Sequence, residues 1–123
     1  PYVIAITVLT SMDAEELAKV GVTRPIPEQA AALAKLAVDS GLDGIVCSPM
    51  EAREMRELLG PDALIVTPGV RPAGAALGDQ SRVATPAVAI NAGASHIVVG
   101  RPITQAEDPV VAFEAIVAEI EAR

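Results

Sequence analysis

The apolar positions of this chain fall into four short continuous runs separated by longer segments with helical spacing. The runs cover residues 3–9, 45–47, 63–67 and 96–99, and Val and Ile are frequent in them. A short, unbroken apolar run is typical of a strand buried on both faces, as strands of parallel sheets are. The pattern therefore predicts four parallel strands.

The segments between the runs predict helices. Ser11 or Asp13 can cap a short helix that Gly21 ends. Pro25 and Pro27 are then expected to break the chain before the next helix. Further helices are predicted over residues 28–40, 51–59, 86–92 and 109–121. Strands and helices therefore alternate, in the order typical of right-handed parallel β/α units.

The fold class that follows is α/β, with residues 1–123 forming a single (β/α)4 unit. Four such units can make a small open sheet or one half of a (β/α)8 TIM barrel. An open sheet would need helices on both faces, whereas a half-barrel leaves its two outer strands unpaired. The very apolar strands favour the half-barrel. Its completion by a partner half or by self-association, as a dimer or a larger assembly, is expected.

Composition and charge restrict the classes of partner that the chain is expected to bind. Hydrophobic residues make up 51% of the chain, aromatic residues only 2%, and the net charge is −7. A basic stripe is absent, so no nucleic-acid partner is predicted. Membrane insertion is not predicted either, because no run approaches the ~20 apolar residues of a span.

The N-terminus and the lone cysteine bear on where the chain comes from. The first run begins at residue 3 without a start methionine, which suggests a piece of something longer. Cys47 is the only cysteine, so a reducing, cytoplasmic setting is expected. It lies within a predicted strand, which favours a small buried hydrophobe over a nucleophile.

Candidate chemistry lies just after the strands, where parallel α/β folds place their functional residues. Gly69 and Arg71 follow the third run, and Gly100 and Arg101 follow the fourth. Glycine lets a ligand approach the backbone, and the arginine fork matches phosphate oxygens. The pattern predicts a phosphate site. The alternative is that Arg101 pairs with a helix carboxylate and that residues 100–102 form a plain turn.

The long segment 68–84 is rich in Gly, Pro and Ala and contains Gln80. Segments of this length without regular structure are usually functional or disordered. An amide both donates and accepts, which suits a group between a phosphate and a heterocycle. On spacing alone, a solvated loop side chain is the better interpretation of Gln80.

Five segments, taken in order, resemble successive motifs of bacterial orotidine 5′-monophosphate decarboxylases. They are residues 7–12 (TVLTSM), 40–48 (SGLDGIVCS), 66–71 (VTPGVR), 78–86 (GDQSRVATP) and 97–104 (IVVGRPIT). Together they extend over essentially the whole chain. The resemblance implies the C-terminal half of that family's (β/α)8 barrel, and an activity that converts orotidine monophosphate to uridine monophosphate and carbon dioxide.

The resemblance also implies roles for single residues on the phosphate side. Arg101, with the Gly100 backbone, would bind the 5′-phosphate. Gln80 would reach the phosphate and the pyrimidine together, and Arg71 would lie along the loop that closes over the ligand. The ligand implied is a nucleoside monophosphate.

On the nucleotide side, the resemblance implies that Thr10 contacts the ligand, with Ser11 as its neighbour. Pro68 and Val70 would form the wall of the apolar part of the pocket. The family uses neither a metal nor an organic cofactor, so none is expected here.

One element of the family pattern is absent from the sequence. The family's catalytic signature is Asp-x-Lys-x-x-Asp, whose lysine protonates the carbon that loses carbon dioxide. The chain has two lysines, Lys19 and Lys35, and neither stands in that pattern. No catalytic residue is therefore assigned, and the chain alone is predicted to be inactive.

Two other hypotheses remain open. The chain could be a non-catalytic or engineered half-barrel module that self-associates through its edge strands. It could also belong to another phosphosugar barrel enzyme, for example a decarboxylase relative acting on a keto-sugar phosphate.

Overall fold

The computed structural model describes residues 1–72 and 84–123, so Gln80 lies outside the described residues. The sheet has four strands: β1 (Ile4–Ile6), β2 (Gly44–Val46), β3 (Leu64–Thr67) and β4 (His96–Ile97). They pair in chain order, β1-β2-β3-β4, and every pair is parallel. The predicted parallel sheet is confirmed, although β1, β3 and β4 are shorter than their apolar runs and β2 is shifted by one residue.

The described part of the chain contains six α-helices. They are α1 (Ala14–Lys19), α2 (Ile26–Asp39), α3 (Ala52–Leu59), α4 (Pro86–Ala92), α5 (Arg101–Thr104) and α6 (Pro109–Glu121). A 3-10 turn, Pro49–Glu51, leads directly into α3. The predicted bounds of α4 and α6 are confirmed.

Two local predictions need correction. Pro25 precedes α2 and is its N-cap, as expected, but Pro27 does not break the chain before the helix, because α2 begins at Ile26 and Pro27 lies in its first turn. Proline is tolerated there, since the first N–H groups of a helix have no intrahelical partner. Residues 101–104 form the short helix α5 rather than a plain turn, and Gly100 is its N-cap.

The helices α1, α2 and α3 pack on one face of the sheet. Ile45, Cys47 and Ile65 point to that face and are fully buried. Small residues of α2 let the helix approach the strands closely; the buried ones are Ala30, Ala34 and Ala37. A second buried cluster forms where α4 meets β4, around Val70, Ala89 and Ala94.

The opposite face of the sheet carries the alternate residues of each strand. Ile6, Val46, Val66 and His96 form one row across all four strands. None of these four belongs to either buried cluster, and Ile6 and His96 are exposed. In residues 1–72 and 84–123, helices cover the sheet on one face only, as a half-barrel requires and unlike a small open sheet with helices on both faces.

The described residues contain neither a membrane-spanning helix nor a metal-binding cluster. In residues 1–72 and 84–123, no helix has the length and apolar character needed to cross a membrane. Within the same ranges, no group of three or more His, Cys, Asp or Glu side chains is placed to hold a metal ion.

Candidate phosphate site

The chain turns sharply after β3. Gly69 has a φ of 75°, a left-handed conformation that side chains other than glycine rarely adopt. Val70 is buried and forms a parallel bridge with Ala84, and the Arg71 N–H donates to the Ala84 carbonyl at 3.0 Å. These contacts fix the backbone from which the Arg71 side chain extends.

The end of β4 lies beside the end of β3. The Val98 N–H donates to the Thr67 carbonyl at 2.9 Å. Gly100 then caps α5, and its carbonyl accepts from the N–H groups of Ile103 at 2.9 Å and Thr104 at 3.0 Å. Arg101 is therefore the first residue of α5, and its side chain is exposed.

The two strand ends enclose one small cavity of about 270 Å³. Its lining residues are Gly69, Val70, Arg71, Val98, Gly100, Arg101 and Pro102. Pockets for whole drug-sized ligands usually measure roughly 300–1,000 Å³, so this one suits the end of a larger ligand. The cavity joins two guanidinium groups and two glycines, as the Gly/Arg pattern predicts.

Neither arginine is committed to a carboxylate in the described part of the chain. The ion pairs there are Lys19 with Glu16 and Lys35 with Asp39, both on exposed helix surfaces. The Nε of Arg71 is buried and has no hydrogen-bond partner among the described residues. A buried donor without an acceptor is costly, so an anion in the cavity would supply what this nitrogen lacks. The alternative of a helix carboxylate paired with Arg101 is not found among these residues.

Gly100 leaves space that the protein does not use. A Cβ atom built at this position would meet no atom within 4 Å, apart from its chain neighbours. Packing therefore does not require a glycine here. The open space faces the same cavity, where a ligand oxygen could approach the backbone.

Thr10 lies in a different, larger cavity of about 490 Å³. This cavity lies between the segment after β1, the start of α2 and the segment after β2; its polar lining residues are Thr10, Ser48, Glu51 and Glu54. Strands β1 and β4 are opposite edges of the sheet, about 14 Å apart at the usual strand spacing. Ser11 and Pro68 line neither of these two cavities.

The carboxylate of Glu51, directly before α3, is partly buried. The Ser48 hydroxyl accepts from the Met50 N–H at 3.2 Å, and the Glu51 carboxylate accepts from the Ser48 N–H at 3.4 Å. Burial raises the pKa of Glu51; its bond to Ser48 lowers that pKa, and the Glu54 charge raises it again. The Ser-x-x-Glu spacing is a capping-box signal that could have located this pair from the sequence.

Cys47 is fully buried on the helix-covered face. Burial, and secondly the charge of Glu51, raise the pKa of its thiol to about 12. A thiol with such a pKa is not a nucleophile at neutral pH. The interpretation of Cys47 as a small buried hydrophobe is confirmed.

Comparison with known proteins identifies the family. Residues 1–116 match the profile of the orotidine 5′-phosphate decarboxylase / HUMPS family. The chain belongs to this family. It is 59% identical over 122 residues to the orotidine 5′-phosphate decarboxylase of Moorella thermoacetica, a match that covers 98% of the chain and 48% of that protein. With the Halorhodospira halophila enzyme of the same name, the identity is 61% over 118 residues, covering 96% and 50%.

A solved structure of a family member has the same fold. The crystal structure of orotidine 5′-phosphate decarboxylase from Lactobacillus acidophilus superposes with a TM-score of 0.85 at 45% identity, covering 98% of the chain and 49% of that structure. The chain thus spans about half the length of the relatives it matches. The resemblance found in the sequence and the half-barrel fold are both confirmed. The individual site residues stay predictions.

Proposed function

We propose that the chain is the C-terminal, phosphate- and nucleotide-binding half of an orotidine 5′-phosphate decarboxylase. The observation that carries the proposal is the cavity in which Gly69, Arg71, Gly100 and Arg101 meet. Two arginine cations and open glycine backbone are a cradle for a phosphate monoester. The relatives named above are about twice as long as this chain, which leaves room for a complementary half.

The reaction proposed for the complete enzyme breaks one carbon–carbon bond. Orotidine monophosphate loses its carboxylate as carbon dioxide, and a lysine ammonium group protonates the carbon left behind to give uridine monophosphate. Lys19 and Lys35 lie on exposed surfaces of α1 and α2, paired with neighbouring carboxylates, so neither is placed for this step. The proton donor is therefore assigned to the complementary half.

The contribution of this half is binding energy at a distance from the reacting carbon. Interactions with a remote phosphate can hold the substrate in the geometry that the transition state needs. Arg101 and Gly100 would bind the phosphate, and Arg71 would neutralise it from the β3 side. Gln80, Thr10 and Ser11 are proposed to contact the nucleotide, and Pro68 and Val70 to form the apolar wall of its pocket.

A cytoplasmic location is proposed from the family membership and the single cysteine.

Titration calorimetry with uridine monophosphate tests the cradle. We expect Arg101→Ala to weaken binding by roughly 10–100-fold, because a charge-assisted hydrogen bond contributes about 1.5–3 kcal/mol. Arg101→Lys should recover only part of the loss, since lysine lacks the planar fork. Arg53→Ala is the matched control, because Arg53 is exposed on α3 outside the cavity. Equal affinity for the Arg101→Ala and Arg53→Ala variants would refute the assignment.

A decarboxylation assay tests whether this half binds the substrate while the complementary half supplies the proton donor. The pure chain should give no turnover of orotidine monophosphate, and activity should appear on co-expression with a matching N-terminal half. Loss of a general acid alone usually lowers the rate by about 10²–10⁴-fold. Clear turnover by the chain alone would contradict the proposal.

The second candidate function is a non-catalytic half-barrel module that associates with itself. The observation in its favour is the apolar sheet face, which no described helix covers. Uridine monophosphate binding without turnover fits both candidates, and restored activity on mixing singles out the first. The names of the relatives argue against the keto-sugar phosphate alternative.

A further inference from the structure

The two outer strands of the sheet each have one edge without a neighbour in the described part of the chain. They are β1 and β4, the ends of the order β1-β2-β3-β4. An unpaired strand edge leaves backbone N–H and C=O groups open to pairing with another chain. A standard stable dimer buries about 800 Å² on each partner, so an interface here would include the apolar sheet face beside the two edges.

The uncovered sheet face exposes apolar side chains at both edge strands. Ile6 on β1 is 61% exposed, and Val98 at the end of β4 is 50% exposed. The row across the sheet contains no Asp, Glu, Lys or Arg in its described positions. Such a face can meet its own copy without like-charge repulsion, despite the net charge of −7.

Helix α6 continues this surface beyond the β4 edge. Val110, Phe113 and Val117 follow each other at helical spacing, and all three are exposed. The helix packs on α4 and α5 of its own chain, so this apolar stripe lies outside those contacts. A barrel-type neighbour beyond β4 would cover the stripe.

We propose that the 123-residue chain, taken by itself, closes its sheet with a second copy into an eight-stranded ring. All four strands are parallel and paired in chain order, so both edges run in the same direction. A half-turn about the ring axis places β4 of each copy beside β1 of the other, again in parallel. Two identical seams then pair both edges, which otherwise leave backbone N–H and C=O groups unpaired.

The ring changes which residues meet at the phosphate cradle. Within one chain, Thr10 follows β1 and Arg101 follows β4, at opposite edges of the sheet. In the ring, β4 becomes the direct neighbour of β1 from the second copy. Thr10 and Ser11 of that copy then lie beside Arg101, and each ring holds two composite sites for a phosphate monoester that bears a polar group. The inference does not depend on decarboxylase activity.

Sedimentation equilibrium of the chain and three variants tests the ring. Ile6→Asp and Val98→Asp each place a charge on the closing face, and each should weaken association about tenfold or more. Val88→Asp is the matched control, because Val88 is 57% exposed on α4, a helix packed between α3 and α6 of the same chain. Far-UV circular dichroism verifies that each variant is folded.

The association state of the three variants distinguishes the ring from other arrangements. A dimer that Ile6→Asp and Val98→Asp dissociate, and that Val88→Asp leaves intact, supports the ring. A stable monomer at micromolar concentration overturns it, and so does a dimer that all three variants affect equally. Uridine monophosphate should bind more tightly above the dimer dissociation constant than below it, and equal affinity would overturn the composite site. Phosphate binding by the monomer would leave the proposed function standing while the ring fails.

Discussion

The carboxylate of Glu51 combines a structural role with an unfavourable environment. One oxygen accepts from the Ser48 N–H, while the other is buried without a partner. The effect of burial on the pKa of Glu51 is larger than the effect of the hydrogen bond from Ser48. The pKa is therefore raised from its usual 4.5. The folded state therefore holds this proton to a higher pH than the unfolded chain does.

The pH dependence of stability follows from that difference. Between pH 4.5 and the raised pKa, the folded state binds more protons, so its stability falls as the pH rises through this window. Glu51→Gln keeps an acceptor for Ser48 and removes the charge. We expect its free energy of unfolding, from urea titrations, to fall less between acidic and neutral pH than that of the parent. Parallel pH profiles would contradict this.

Gly100 and Gly93 are expected to respond to alanine in opposite ways. A methyl group at Gly100 meets open space, so Gly100→Ala should weaken uridine monophosphate binding with only a small loss of stability. Gly93 has a φ of 125°, and its added Cβ would lie 2.8 Å from the Arg56 Cβ. Gly93→Ala should lose about 1 kcal/mol or more of stability and keep ligand binding. Calorimetry and thermal unfolding of both variants measure the contrast, and matching profiles would refute it.

At the scale of elements, Arg56 joins the ends of two helices to a strand. Its Nε donates to the Gly93 carbonyl at 3.0 Å, and its Nη1 donates to the Gly60 and Ala63 carbonyls at 2.8 and 2.7 Å. The Gly93 carbonyl follows α4, the Gly60 carbonyl follows α3, and the Ala63 carbonyl precedes β3. A cation at two helix C-termini also meets the negative ends of their dipoles.

Replacing Arg56 should therefore loosen all three elements at once. We expect Arg56→Lys to lower the free energy of unfolding by about 1–3 kcal/mol, because lysine cannot donate from both fork positions and leaves carbonyls unpaired. Urea denaturation measures the change. Arg53→Ala, an exposed position on the same helix, should alter stability by less than about 0.5 kcal/mol. Similar losses for both variants would disprove the role.

Element bounds were predictable where the sequence carries its own stop signals. Asp108 caps α6, and Thr85 caps α4 before Gly93 ends it. The bounds of α5 could not be found in this way, because four residues are too few to show a helical period. Strands β1, β3 and β4 are shorter than their apolar runs, since strand length depends on a paired neighbour and not on hydrophobicity alone.

For the whole molecule, the sequence predicted the half-barrel and the meeting of Arg71 and Arg101 at one cavity, while their binding of phosphate stays a prediction. Arg71 and Arg101 meet because adjacent parallel strands end at the same edge of the sheet. The resemblance implies that Thr10 contacts the same ligand, yet Thr10 follows β1 at the opposite edge of the sheet and lines the other cavity. The sequence of this chain alone does not show which neighbouring strands pair with the outer edges of β1 and β4.

The strictly sequential strand order also has a consequence for how the molecule assembles and opens. Each strand pairs only with the strand before or after it in the chain, so every sheet contact joins neighbouring β/α units. Folding can then proceed by stepwise addition of units, in the manner of a repeat protein, with modest chain-closure entropy at each step. The central strands β2 and β3 would hold their amide hydrogens longest during exchange with deuterium, while β1 and β4 would open first from the two ends.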